Sequence, residues 1–179
     1  MTVVRYRSRK GGFTLVEILI VVIILGILAA IVIPQFTSAS QDARKNSLVS
    51  QLQTIRSQVE LYKLQHLDKL PVGLNGAAGS TAPATAWAEM INKSDATGAT
   101  GVTTAFPFGP YLQAAPTNPL NNLSAMFVVT TDVTLGGASG ATTVDGFIIN
   151  KSNGKIWGSS KGTTKVYNES DPSDPNNDL

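Results

Sequence analysis

Cysteine is absent from the 179 residues, and histidine occurs once, as His66. With no thiol there is no disulfide, no thiolate nucleophile and no cysteine-held metal. A single histidine excludes every metal motif built on a histidine pair. No Gly-rich loop runs into Lys and Ser or Thr, so no phosphate cradle is recognisable, and no serine sits in a nucleophile-elbow pattern. Charge is scarce as well, at 15% of residues. What remains must hold together by packing, or by a metal ion bound through oxygen.

The apolar residues, 42% of the chain, are spread unevenly. From Phe13 to Phe36 the only ionisable side chain is Glu17, whereas the rest is polar, small and rich in Gly, Ala, Thr and Asn. The basic residues are uneven too. Taking Arg5, Arg7, Arg9 and Lys10 from the 14 basic residues leaves 10 against 12 acidic ones. The sequence pI of about 8.9 therefore belongs mostly to the first twelve residues. No basic cluster recurs after residue 10, which argues against a nucleic-acid partner.

Four positive charges ahead of a long apolar run keep that end on the cytoplasmic side of a membrane. As a helix, Phe13 to Ile33 spans about 30 Å, the thickness of a bilayer's hydrocarbon core. Two plainer readings compete. One is a secretory signal cleaved after its apolar core, with Ser38 and Ser40 as the small residues before the cut, although signal cores are shorter, roughly 7–15 residues. The other is a permanent single-span anchor for an unrelated outer domain. Glu17 fits neither. A carboxylate at bilayer depth costs a few kcal/mol unless neutralised or paired, so such residues are usually functional.

The stretch Lys10-Gly11-Gly12-Phe13-Thr14-Leu15-Val16-Glu17 resembles the processing site of type IV prepilins and of type II secretion pseudopilins. The resemblance implies cleavage by a prepilin peptidase between Gly12 and Phe13, followed by N-methylation of Phe13. It is specific because a short basic leader, a Gly-Phe junction and a Glu four residues on all precede a spanning run. Gly12 has no side chain, so an extended backbone can enter a tight cleavage site. The cut leaves the apolar segment on the mature chain. The new α-amine of Phe13 would carry a positive charge one helical turn from Glu17, and the family pairs these groups between neighbouring subunits during assembly. Gly26 and Pro34 read as helix breaks. A bent spanning helix explains them, and so does the family's loosening of that stretch on packing into a filament.

Beyond Pro34, Leu48, Leu52, Ile55, Val59 and Tyr62 recur at steps of four, three, four and three, one apolar stripe on a helix. Asp68, Lys69, Leu70 and Pro71 end it. The whole helix, Phe13 to about Gln65, would be roughly 80 Å long. A short helix is expected near 84–92, an ordered connection over Phe106 to Pro119, and strands at 125–130, 146–150 and 155–157. The last two flank Ser152-Asn153-Gly154, a hairpin signal. Gly109-Pro110-Tyr111-Leu112 and the prolines that follow are similar to a stretch between helix and sheet in major pseudopilins. Trp87 and Trp157 read as packing residues without companion aromatics in their surroundings. His66 reads as a contact with the helix dipole. Asp171, Asp174 and Asp178 raise calcium, because some major pseudopilins carry that ion near the sheet. Their spacing matches no EF-hand loop, and a solvated tail is the plainer account.

The expected fold is therefore α+β: a long N-terminal helix, half apolar and half amphipathic, on a small antiparallel sheet. The expected parts are a leader over 1–12, a membrane or filament-core helix over 13–36, a globular domain over 37–168 and an acidic flexible tail over 169–179. The resemblance implies a non-enzymatic subunit polymerising into the pseudopilus of a type II secretion system. The alternative is a cysteine-free major pilin forming surface fibres for adhesion or twitching. Implied partners are further copies of the chain, the prepilin peptidase, an inner-membrane platform with its ATPase, minor pseudopilins and the lipid bilayer. The implied location is the bacterial inner membrane, with the globular domain in the periplasm.

Overall fold

The structure, a computed structural model, describes residues 12–71, 79–81, 87–101, 105–138, 145–160, 165–171, 173–175 and 177. Contacts within the chain separate two units, residues 1–40 and 41–179. One helix, α1 (Leu15–Gln65), supplies the described helical residues of the first unit and opens the second. Leu, Ile, Val and Ala fill its first part, where every described residue is exposed. Gly26 and Pro34, read above as helix breaks, interrupt nothing in the single chain. Proline removes one backbone donor, yet one missing hydrogen bond is tolerated in a long apolar helix. Downstream, the Thr37 and Ser38 hydroxyls donate to the carbonyls of Ile33 and Pro34, both at 3.2 Å.

In the second unit the stripe behaves as its spacing requires. Leu48, Leu52, Ile55, Val59 and Tyr62 are the buried residues of α1. The helix stops because Leu67 and Asp68 take left-handed conformations, φ 57° and 62°. The Asp68 amide then turns back onto the Lys63 carbonyl at 2.9 Å.

The remaining elements are β1 (Gly79–Thr81), α2 (Ala88–Ile91), β2 (Lys93–Ser94), β3 (Thr100–Gly101), β4 (Met126–Val129), β5 (Phe147–Asn150) and β6 (Ile156–Gly158). Helix α2 falls inside the expected stretch, whose residues 84–86 lie outside the described ones. β2 and β3 form a two-stranded sheet. The main sheet runs β1-β4-β5-β6. Its outer pairs are antiparallel, but β4 and β5 are parallel, with Met126 opposite Phe147. A wholly antiparallel sheet was expected, so this pairing is a correction. The segment between Val129 and Phe147 is long enough to return to the same edge, and a parallel pair needs such a crossover.

Alternation along the strands gives the sheet two apolar faces. Met126, Val128, Phe147, Ile149 and Ile156 join the α1 stripe in one cluster. Ile148, Trp157 and Val166 form a second cluster, with Phe127, Val129 and Val133 at its margin. Helix and sheet meet closely at Gly158, where an added Cβ would lie 2.8 Å from Leu48 Cδ2. Trp87 does have a companion aromatic, contrary to the reading above: Phe147 meets it edge-on at 5.5 Å. That partner is 60 residues away in sequence, where local inspection does not reach. The Trp87 Nε1–H donates to the Ser124 carbonyl at 2.9 Å.

The hairpin signal is realised. β5 and β6 pair antiparallel, and Gly154 takes φ +79° against Leu70, where a Cβ would come within 2.7 Å. The proline-rich connection is held by Asn118, which is fully buried. Its amide donates to the carbonyls of Gly146 and Ser159 at 2.7 and 2.8 Å.

Candidate functional site

Thr14 is the last residue before α1, and Glu17 lies in its first turn. The Glu17 carboxylate accepts the Thr14 amide N–H and the Thr14 hydroxyl, each at 2.8 Å. The Glu17 amide in turn donates to Thr14 Oγ1 at 3.2 Å. This is a reciprocal capping box, which satisfies amides that the helix start leaves without partners. A carboxylate there also faces the positive end of the helix dipole. The pattern Thr-x-x-Glu was legible in Thr14-Leu15-Val16-Glu17, but the sequence reading assigned Glu17 to a neighbouring chain and left Thr14 without a role. Glu17 therefore has donors within its own chain, and its second oxygen leaves room for another.

Around this cap the surface is apolar and uncovered. From Phe13 to Phe36 the large apolar side chains are 40–86% exposed, Val32 least and Phe13 most. Such a stretch is unstable in water, and α1 is long and apolar enough to cross a bilayer, with a window of mean hydropathy 3.3. α1 is a membrane-anchoring helix by composition. A Cβ built at Gly12 or Gly26 meets nothing within 4 Å. The chain's own packing thus does not demand glycine at either place.

Sequence comparisons bear on this same segment. Residues 7–33 match the family model for the prokaryotic N-terminal methylation motif. Residues 7–33 thus carry the sequence pattern of an N-terminal methylation motif. Over that region the chain is similar to the type II secretion system core protein G of several bacteria. It is 41% identical over 58 residues to the protein from Dickeya chrysanthemi, covering 32% of this chain and 38% of that one. For Pseudomonas aeruginosa the figures are 42% over 60 residues, 34% and 42%. For Escherichia coli K12 they are 34% over 62 residues, 35% and 43%. The chain thus spans about two fifths of the length of these relatives. No solved structure matches it. The α+β architecture, a long N-terminal helix with a small sheet, is the one expected of a pilin-like chain.

The other candidates lie in the second unit, each with a structural role. His66 is buried and stacked on Tyr62, with ring centroids 3.7 Å apart. Its Nδ1 lies 2.8 Å from the Tyr62 carbonyl in the last turn. A carbonyl only accepts, so Nδ1 carries a proton there. Nε2 meets the Ser94 hydroxyl at 3.0 Å. The contact with the helix end exists, and it lies inside the core. The Tyr62 hydroxyl donates to the buried Glu89 at 2.8 Å. Burial, then this carboxylate, pushes the Tyr62 phenol far above its usual range.

The described residues of the C-terminal stretch are hydrogen-bonded to one another. Asn177 is buried; its Oδ1 accepts the Asn168 amide at 2.7 Å, and its Nδ2 donates to the Asp171 carbonyl at 3.0 Å. Asp171 accepts the amide and hydroxyl of Ser173, and Asp174 accepts Asn168 Nδ2 at 2.8 Å. Both carboxylates are turned toward donors of their own segment. Among the described residues no three acidic or histidine side chains converge to hold a metal, and Asp178 lies outside them. Glu169 instead forms a two-pronged pair with Arg56, at 2.9 and 2.6 Å, and Arg56 also donates to the Ile156 carbonyl.

Proposed function

We propose that this chain is the precursor of a filament subunit, held in the bacterial inner membrane and added head-to-tail to the pseudopilus of a type II secretion system. The observation that carries the reading is the position of the Gly12–Phe13 junction, immediately before a capped helix whose apolar surface nothing in the chain covers. Hydrolysis of that bond leaves a carboxylate on Gly12 and a free α-amine on Phe13, and an external activated methyl donor then transfers its methyl group to that amine with loss of one proton. The helix begins two residues later, so the amine stands free beside Glu17. Gly12 is open space in this fold, which supports a requirement imposed from outside, by a peptidase that reads an extended backbone.

Assembly then matches charges in an apolar setting. An amine from one subunit adds a third donor to a Glu17 carboxylate already oriented by Thr14. Head-to-tail contacts of this kind do not close, and so they extend a fibre. The work of extraction from the membrane falls to an ATPase and platform outside this chain, and minor pseudopilins are further partners. The globular unit would face the periplasm.

The test is the mature N-terminus together with the structure the cell builds. Mass spectrometry of the membrane form should give a chain beginning at N-methyl-Phe13, and a start at Met1 or after Ser40 would sink the proposal. Glu17→Gln should be processed normally yet fail to join fibres. Exoproteins trapped in the periplasm of a deletion strain would place the chain in secretion. Long surface fibres at native expression, lost on deletion, would favour the pilus alternative.

A further inference from the structure

We infer that Asn153 is a covalent modification site: its carboxamide undergoes deamidation by its own backbone and water, and the closed β5–β6 turn with Asp132 keeps that reaction shut. The inference stands apart from the filament reading, because it needs only the second unit.

Two asparagines in the chain precede a glycine, Asn75 and Asn153. With no Cβ to crowd it, a glycine amide nitrogen is the backbone nitrogen best able to attack the preceding side-chain carbonyl carbon. At the β5–β6 turn that glycine is fixed by the fold. Gly154 takes φ +79°, and a Cβ there would come within 2.7 Å of Leu70. Asn-Gly is also the pair that a tight hairpin favours. The hairpin therefore builds a reactive pair into its own tip, and Asn153 is exposed to water.

In the reaction the Gly154 nitrogen bonds to Asn153 Cγ and the Cγ–Nδ2 bond breaks. The proton of that nitrogen leaves with Nδ2 as ammonia. The cyclic succinimide then takes up one water, which opens the ring at either carbonyl and returns a proton to the Gly154 nitrogen. Aspartate or isoaspartate results, and nothing is oxidised or reduced.

In the closed turn each reacting group is already engaged. The Gly154 N–H donates to the Asn150 carbonyl at 2.8 Å, and a hydrogen-bonded carbonyl is no base for the proton that must leave. Asn153 Nδ2 donates to Asp132 Oδ1 at 2.7 Å, while Asn153 Oδ1 accepts the Lys155 amide at 3.0 Å. The carboxamide is thus held from both ends, and rotating Cγ onto the Gly154 nitrogen breaks both bonds. The Lys155 amide also draws electrons from Cγ, which by itself favours attack. Restraint therefore rests on the Gly154 N–H and on Asp132, a positioning residue. Asp132 is itself held by Asn150 Nδ2 at 2.6 Å and by the Lys155 ammonium. Conversion is one-way in its effect. The product has no N–H for Asp132 and sets a second carboxylate against it, and like charges at that range repel. Isoaspartate also lengthens the backbone at the tip. A converted copy closes the turn less well, so it keeps a record of having opened.

The test incubates the full-length chain in detergent and mildly alkaline buffer, with and without denaturant, and follows Asn153 by peptide-mapping mass spectrometry. Conversion of Asn75 in denaturant confirms that the conditions drive the reaction. Asn153 should convert in denaturant, and at least about tenfold more slowly in the folded chain, as a site that reacts only on local opening does. Asp132→Ala, shown to be folded by near-UV circular dichroism, should lose most of that protection. Equal rates in folded and denatured wild type would overturn the inference, as would no conversion in denaturant or full protection in folded Asp132→Ala. A second variant, Asn153→Asp, builds the aspartate product directly and does not depend on Asp132→Ala folding. It should unfold at a lower temperature than wild type, and an unchanged or raised temperature would overturn the one-way effect.

Discussion

The two parts of α1 share one backbone geometry and differ in what covers them. Up to Ser40 every described residue is exposed, and the side chains are almost wholly apolar. After Gln41 the helix is mixed in polarity, and it buries only Leu48, Leu52, Ile55, Val59 and Tyr62. The second part finishes its folding within one chain, because a stripe of five side chains is matched by one face of a small sheet. The first part cannot, because an all-round apolar surface needs lipid or other helices. Helical structure alone therefore says little about stability; the pattern of polarity decides whether the partner is internal or external.

The sharpest way to break this comparison is the same truncation on each part. Leu52→Ala should lower unfolding stability by about 2–5 kcal/mol, because Leu52 is fully buried. Leu19→Ala should leave the unfolding of the second unit unchanged, as followed by near-UV circular dichroism in detergent. A comparable loss from Leu19→Ala would mean that the two parts are energetically coupled. Next in size is Arg56→Ala, expected to cost about 1–2 kcal/mol, since Glu169 and the Ile156 carbonyl each lose a charged donor. Chemical denaturation measures it. Thr14→Ala should weaken the helix start by about 1 kcal/mol, seen as faster amide hydrogen exchange over residues 15–18 with no change at Leu52.

The smallest effect concerns Asp132, which anchors the β5–β6 turn by accepting Asn150, Asn153 and Lys155. The Lys155 ammonium, then the two amides, lower its carboxyl from 3.8 to about 2. A depressed value means that the ionised form favours the folded state. The contribution is fully present above about pH 4 and disappears as pH falls through about 2. Thermal unfolding of wild type and Asp132→Asn should therefore differ slightly at neutral pH and converge near pH 2.

Much of this was legible in sequence because the deciding signals are local. All five stripe residues are buried as their spacing requires, and the Asn153-Gly154 signal produces the hairpin it predicts. The parallel pairing of β4 and β5 was not legible, since it depends on where a long connection returns. His66 was read as a contact with the helix dipole, and its burial and its distant partner were not visible. Tyr62 lies four residues before it, but Ser94 is 28 away. At the candidate site, Gly12, Phe13 and Glu17 stood out by motif. Thr14 was missed although its capping pattern is local, because the apolar run drew attention to charge rather than to amide satisfaction.

The tie between Arg56 and Glu169 has a consequence in time. These residues are separated by 113 positions, and Arg56 reaches Ile156 across 100. A chain synthesised from its N-terminus presents the α1 stripe long before β5, β6 and Glu169 exist to cover it. Contacts this distant in sequence form late and slowly. The stripe thus stays uncovered through most of the chain's synthesis, so the globular unit cannot close until nearly all of it has been made.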